Sequence, residues 1–182
     1  MLPDVRLMLA ADRGVFSSRA VDPGTVELLR ATPPPPDGDL LDLGCGYGPI
    51  ACTLAVRAPG STVWAVDVNE RAVSLTAANA ERIGAPNVRA ATPDQVPADV
   101  TFAGIWSNPP IRVGKAALHE LLVTWLGRLQ PQGSAWLVVH HHLGGDSLAR
   151  WLEGEGWAAR KVSSRKGYRI LKVTQIPKVT DP

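Results

Sequence analysis

Short apolar runs alternate with longer amphipathic stretches along most of this chain. Residues 40–43 (Leu-Leu-Asp-Leu) read as a buried strand that leads into Gly44-Cys45-Gly46-Tyr47-Gly48. A helix is expected over 49–57. Residues 62–66 predict a second strand, closed by Asp67. Residues 70–83 have helical spacing and stop at Gly84, a residue suited to a left-handed C-cap. Residues 87–91 and 102–106 predict a third and a fourth strand. From Lys115 to Leu129 the apolar side chains Leu118, Leu121, Leu122, Trp125 and Leu129 share one helical face. Residues 134–139 predict a fifth strand, 147–153 a further helix, and 157–162 and 168–173 two late strands. Strand and helix in alternation imply an α/β fold, a parallel sheet covered by helices on both faces.

Four prolines at 33–36, followed by Asp37-Gly38, form a stiff connector. It divides an N-terminal segment, residues 1–32, from a main body over 37–176, and the segment is expected to pack on that body. Within the segment, residues 5–9 predict a strand. Asp22 and Pro23 predict a helix start, with Asp22 as N-cap, Pro23 in the first helical position and 25–30 following. At 182 residues the chain is expected to be one structural domain with a sizeable core.

Composition narrows the class. A hydrophobic fraction of 45% with 20% charged residues is that of a soluble globular protein. No apolar run approaches the ~20 residues of a membrane span. Asp4, Arg6, Asp12 and Arg13 interrupt the start of the chain, which lacks a signal-peptide core. Cys45 and Cys52 suggest neither a disulfide framework nor a zinc site, so a reducing cytoplasm is expected. The net charge of +2 conceals an asymmetry. Residues 1–155 carry 12 basic and 16 acidic side chains, whereas 156–178 carry Arg160, Lys161, Arg165, Lys166, Arg169, Lys172 and Lys178 and no acid. That block reads either as a polyanion-binding edge or as charges guarding an exposed strand edge.

The most informative residues are Asn108-Pro109-Pro110-Ile111, directly after the fourth predicted strand. Two consecutive prolines remove two backbone donors and end the ladder, and they restrict the conformation of Asn108. A rigid amide acceptor and exposed carbonyls at a strand end suit the holding of a planar amino group. The glycine run is the second signal. Gly44, Gly46 and Gly48 allow a tight turn and close approach of a ligand. A dinucleotide fold requires G-x-G-x-x-G/A, and here Pro49 occupies the last position.

Three segments together resemble the class I methyltransferases: Asp42-Leu43-Gly44-Cys45-Gly46-Tyr47-Gly48, Val66-Asp67-Val68-Asn69 and Ser107-Asn108-Pro109-Pro110-Ile111. More narrowly, the chain resembles the methyltransferase small-domain family, whose characterised members include ribosomal RNA guanine-N2 methyltransferases. Gly14-Val15-Phe16-Ser17, Asp22-Pro23-Gly24-Thr25 and Lys166-Gly167-Tyr168-Arg169-Ile170-Leu171-Lys172 are also similar to that family, so the resemblance covers about residues 12–173.

The resemblance implies a doubly wound, seven-stranded sheet with its last strand antiparallel. It implies methyl transfer from S-adenosylmethionine, without a metal, to an exocyclic or amide nitrogen, with RNA as the expected partner. Asp42, Gly44, Cys45, Gly46, Gly48, Asp67, Val68, Asp94 and Asn108 are then expected at the cofactor. Asp67 would accept from the ribose hydroxyls and Asp94 from the adenine amine. Asn108, Pro109, Pro110 and Ile111 are the expected catalytic tip, and Phe16, Arg112 and Lys115 the expected substrate contacts. Ile111 stands where many relatives carry an aromatic that stacks on the target base, which leaves Phe16 or Trp106 to supply such a face, with Trp106 read first as a core residue of its strand. The acceptor stays open between guanine N2, adenine N6 and a protein glutamine amide. A cofactor-binding partner subunit without turnover is the reading from another class.

Overall fold

Seven strands form one sheet: β1 (Asp39–Leu43), β2 (Thr62–Val66), β3 (Val88–Ala91), β4 (Phe102–Ser107), β5 (Leu129–His140), β6 (Trp157–Arg165) and β7 (Tyr168–Gln175). Among the described residues five α-helices accompany them: α1 (Pro23–Ala31), α2 (Pro49–Arg57), α3 (Glu70–Arg82), α4 (Lys115–Leu126) and α5 (Gly145–Gly154). These come from a computed structural model, which describes residues 2, 4–11, 21–110, 114–141 and 145–176. The strand order is β3-β2-β1-β4-β5-β7-β6. Neighbours from β3 through β5 are parallel, while β7 runs antiparallel to both β5 and β6. The expected seven-stranded sheet with an antiparallel last strand is the sheet observed.

Short strands buried on both faces explain the continuous apolar runs. Along β1, Leu40 belongs to one core and Leu41 and Leu43 to the other, as strand alternation requires. The first core joins Leu41, Phe102, Leu122, Trp125, Leu137 and Leu171. The second joins Leu28, Leu40, Leu54, Trp106, Trp136 and Ile170. Helix α1 enters the second core through Leu28 and Leu29, both essentially without solvent exposure. Its start is the one expected: the Asp22 carboxylate accepts from Thr25 N at 3.1 Å, and Pro23 begins the helix.

Three predicted elements differ from the observed ones. Residues 5–9 are not a strand, nor is Ala10 after them. They lie against α3, where the side chain of Asn79 replaces a ladder: Ala10 N donates to Asn79 Oδ1 at 2.7 Å, and Asn79 Nδ2 donates back to Ala10 O at 2.8 Å. Helix α4 ends at Leu126, and Leu129 opens β5 opposite Phe102 instead. Leu129 shares the helical phase by coincidence, because Gly127 ends the helix before it. Strand β5 starts five residues earlier than the sequence suggests, and its pairing with β4 shifts between Phe102 and Gly104. The segment 130–133, which holds Pro131, forms that irregularity. Among the described residues no helix is long and apolar enough to cross a membrane.

Candidate active site

The chain winds outward from β1 to β3, then returns to lay β4 on the other side of β1. A crevice forms at such a switch point, outside the C-terminal ends of the strands. The glycine run follows β1, Asp67 follows β2 and Asn108 follows β4, so the sequence motifs meet at this crevice. Hydrogen bonds tie the tips together. Ser107, fully buried, donates its hydroxyl to Leu43 O at 2.7 Å. Gly44 N and Cys45 N donate to Val66 O at 2.8 and 3.0 Å. Gly46 N donates to Asp67 Oδ2 at 3.0 Å, and Gly48 N to Cys45 O at 2.9 Å.

Those bonds use the N–H groups of four of the five residues in the loop. A phosphate-cradling loop needs its amides turned toward the ligand, so this loop is built for something other than an anion. Its glycines have positive φ of 78°, 59° and 90° at Gly44, Gly46 and Gly48. A side chain added at Gly44 would meet open space, whereas one at Gly48 would lie 2.9 Å from Thr76 of α3. Gly48 therefore serves helix packing, and Gly44 faces the crevice.

The predicted cofactor residues divide by position. Asp67 receives Asn69 N at 2.9 Å as well as Gly46 N, and two carboxylate oxygens retain lone pairs for hydroxyl donors. Val68 is 79% exposed beside it. Asp42 lies wholly inside, beneath the loop. Its Oδ2 accepts from Ala51 N in the first turn of α2 at 2.8 Å, while Oδ1 is buried with no partner among the described residues. Burial pushes this carboxyl up to about 8; the Ala51 N–H opposes the shift and the Asp67 charge adds to it. Cys45 turns away from the crevice: its thiol is buried against Thr76, 3.6 Å from Oγ1, and burial raises its pKa well above the ordinary thiol value. Its backbone N–H is also engaged, so Cys45 offers a ligand no free donor. Burial likewise raises Cys52 to about 12. Asp94 is exposed on a single 3-10 turn after β3, where its carboxylate accepts from Thr92 Oγ1 at 2.6 Å, and this bond lowers its pKa.

On the acceptor side, Asn108 Nδ2 donates to Asp22 Oδ1 at 2.8 Å and to Thr25 Oγ1 at 3.1 Å. Both amide hydrogens are thereby used, and Asn108 presents an acceptor elsewhere. Pro109 is buried behind it and Pro110 is exposed. Trp106 offers no stacking face, because it is 1% exposed and sits in the second core over Gly104, where any side chain would come within 2.5 Å of its ring. Lys115 is exposed at the first residue of α4. Phe16, Ile111 and Arg112 lie outside the described residues.

Sequence reasoning missed the part played by α1 and the β6–β7 hairpin. The hairpin turns on Lys166 and Gly167, with φ of 51° and 81°, the paired positive angles of a tight two-residue turn. Lys166 Nζ reaches Glu27 Oε1 at 3.1 Å, and Arg30 joins the same oxygen at 3.3 Å. Glu27 is nearly inaccessible. Burial alone would raise its pKa, but the Lys166 bond and both cations outweigh it and hold the carboxyl below its usual range. The Tyr168 ring packs so closely on α1 that a side chain at Gly24 would sit 2.7 Å from it. His141 N donates to Gly167 O at 2.8 Å, and the His140 ring stacks on His141 and meets the Tyr168 ring edge-on, so both brace the hairpin region. Among the described residues no three His, Cys, Asp or Glu side chains cluster as metal ligands.

This sheet, with its glycine loop and the carboxylate and asparagine tips beside it, defines a class I, S-adenosylmethionine-dependent methyltransferase. The model of the methyltransferase small-domain family matches residues 6–172, and the chain belongs to that family. It is 38% identical over 170 residues to the uncharacterised protein YbxB of Bacillus subtilis, covering 91% of this chain and 85% of that protein. It is 34% identical over 144 residues to ribosomal RNA small subunit methyltransferase C of Aeromonas hydrophila, covering 77% of this chain but only 42% of that enzyme. Among solved structures, the 16S rRNA guanine-N2 methyltransferase of T. thermophilus, in complex with AdoMet and guanosine, superposes with a TM-score of 0.72 at 25% identity. That match covers 90% of this chain and 46% of the other. The chain thus spans about half the length of the ribosomal RNA methyltransferases it matches.

Proposed function

We propose that this protein methylates the exocyclic N2 amine of a guanine in small-subunit ribosomal RNA, using S-adenosylmethionine. The observation that carries the reading is Asn108 at the tip of β4, whose amide hydrogens are both taken by Asp22 and Thr25. An amide held that way is an acceptor for the N–H groups of an incoming planar amine. The lone pair of such an amine is delocalised into the base, which makes it a poor nucleophile. Hydrogen bonds to Asn108 Oδ1 and to the Pro109 carbonyl would orient it and favour pyramidal character at nitrogen. Catalysis by the chain is then proximity and orientation, with acceptors that meet positive charge growing on nitrogen.

The residues of the crevice fit the cofactor. Gly44 opens toward it, Asp67 retains lone pairs for ribose hydroxyls, and exposed Val68 offers an apolar surface for a base. When bound, S-adenosylmethionine supplies an electrophilic methyl group on a sulfonium, which requires no metal activation.

An RNA acceptor is supported by the relatives named as ribosomal RNA methyltransferases and by charge placement. Arg165 pairs with Tyr168 and Arg160 with Lys172 across the hairpin. Partners directly opposite share a face, and Tyr168 lies on the α1 side with the second core. Arg165, Arg160 and Lys172 therefore form a basic row on that side. The row starts at the C-terminal end of β6, the same sheet edge as Asn108, and suits a phosphate backbone. Two buried cysteines without a disulfide suit a reducing cytoplasm, where we assign the enzyme.

The test is methyl-labelled S-adenosylmethionine with small ribosomal subunits, naked 16S RNA and ribosomal protein offered separately. Label in RNA supports the proposal. Label in protein would transfer the clamp to a glutamine amide, and cofactor binding without any transfer would favour a partner subunit.

A further inference from the structure

We infer that Asp22, the N-cap of α1, is a positioning residue that sets which end of the Asn108 amide faces the acceptor. This rests on the reading of Asn108 as an amine clamp. An asparagine amide is nearly symmetric in shape, and a half-turn about its last bond exchanges oxygen for NH2. Only one orientation serves: with NH2 toward the crevice, Asn108 would oppose donors with donors. Asp22 resolves the choice because its carboxylate only accepts. Its Oδ1 lies 2.8 Å from Asn108 Nδ2, and Thr25 Oγ1, on a residue 3% exposed, takes the second hydrogen at 3.1 Å.

Asp22 is itself fixed. The same Oδ1 caps Thr25 N at 3.1 Å, Pro23 sets the backbone after it, and Gly24 admits the Tyr168 ring of the hairpin. Lys166 holds the helix one turn further along through buried Glu27. Helix α1 and the hairpin thus form a bracket whose output is the orientation of one side-chain amide. Nothing in Asn-Pro-Pro supplies that orientation, since the prolines fix the backbone and not the last side-chain torsion.

The test combines a side-chain NMR signal with kinetics. The Asn108 amide pair in a proton–nitrogen spectrum is assigned by its disappearance in Asn108→Ala. In the wild-type protein both amide protons should be shifted from free-amide positions and protected from exchange. Asp22→Ala should abolish the shift and protection. It should lower turnover about 10- to 100-fold, the scale of a misplaced reacting group, with cofactor Kd unchanged within about twofold. Asp22→Asn keeps an accepting oxygen, which the Thr25 N–H at the cap turns to the Oδ1 position, and should restore both the signal and most of the turnover. If loss of the cap unfolds the chain, Thr25→Val, which removes the second acceptor at constant shape, should show the same losses in weaker form. An Asn108 amide signal that is unaltered in Asp22→Ala, or in Thr25→Val where Asp22→Ala does not fold, overturns the inference. So does an Asp22→Asn protein as impaired as Asp22→Ala while folded. The NMR arm needs no substrate, so a held amide in a protein that methylates nothing would count against the proposed activity and not against the role of Asp22.

Discussion

Asp22 and Asn108, 86 positions apart in the chain, are joined by a 2.8 Å hydrogen bond in which the asparagine amide donates to the aspartate carboxylate. The bond ties the segment before the proline connector to the tip of β4. It also links two features with separate local explanations, a helix N-cap and a strand terminator, into the proposed acceptor clamp.

Removal of the clamp should separate chemistry from cofactor binding. Asn108→Ala is expected to lower turnover at least ~100-fold, as for loss of an oriented transition-state partner, while S-adenosylmethionine affinity measured by calorimetry stays nearly intact. A comparable loss of cofactor affinity would show that Asn108 belongs to the donor side.

Asp67→Ala should do the reverse. The carboxylate supports the loop through Gly46 N and Asn69 N and is the proposed ribose acceptor. Loss of charged hydrogen bonds worth ~1.5–3 kcal/mol predicts weaker cofactor binding by about 10- to 100-fold. Kd unchanged within error would remove Asp67 from the cofactor site.

Asp42 predicts a pH signature. Folded, its carboxyl keeps its proton up to about 8, while in the unfolded chain it ionises near ~3.9. Between those values unfolding releases a proton, so this group makes stability fall as pH rises, by up to ~1.4 kcal/mol per unit, and the fall levels off above about 8. Asp42→Asn mimics the protonated form, with an oxygen for Ala51 N and hydrogens at the Oδ1 position. Chemical denaturation from pH 5 to 8 should show a widening advantage of the variant over the wild type. A constant difference would mean that Asp42 is ionised throughout.

The basic row should appear in the salt dependence of RNA binding. Replacing both Arg160 and Arg165 with alanine is expected to reduce the slope of log affinity against log salt by about 1 per lost phosphate contact, with little change in melting temperature because both side chains are exposed. An unaltered slope would assign these residues to guarding the β6 edge.

Much of this architecture is legible in the sequence, because its signals are local. The run Leu40 to Leu43 and the glycines after it mark a buried strand and a ligand-facing turn. Asn-Pro-Pro must end a strand, and Asp22-Pro23 must begin a helix. What stayed hidden depends on contacts between distant residues. Residues 5–9 look like a strand, and only the fold supplies Asn79 as the partner of Ala10 after them. Leu129 has the phase of a helix it never joins. Asp42 and Cys45 belong to a cofactor motif by position, yet the structure buries one beneath the loop and turns the other into α3. Trp106, an aromatic near the tip in sequence, lies in the second core, as its apolar strand suggests, while alternation sends Ile105 to the first.

In the proposed reaction Asn108 presents its acceptor to the N2 amine of a guanine in small-subunit RNA. The most direct test is nucleoside mass spectrometry of 16S RNA and small subunits after incubation with the purified protein and isotopically labelled S-adenosylmethionine, with Asn108→Ala as control. Labelled N2-methylguanosine is expected from the wild-type protein and at least ~100-fold less from the variant. Labelled N6-methyladenosine in its place, or label that persists undiminished in Asn108→Ala, would contradict the proposal.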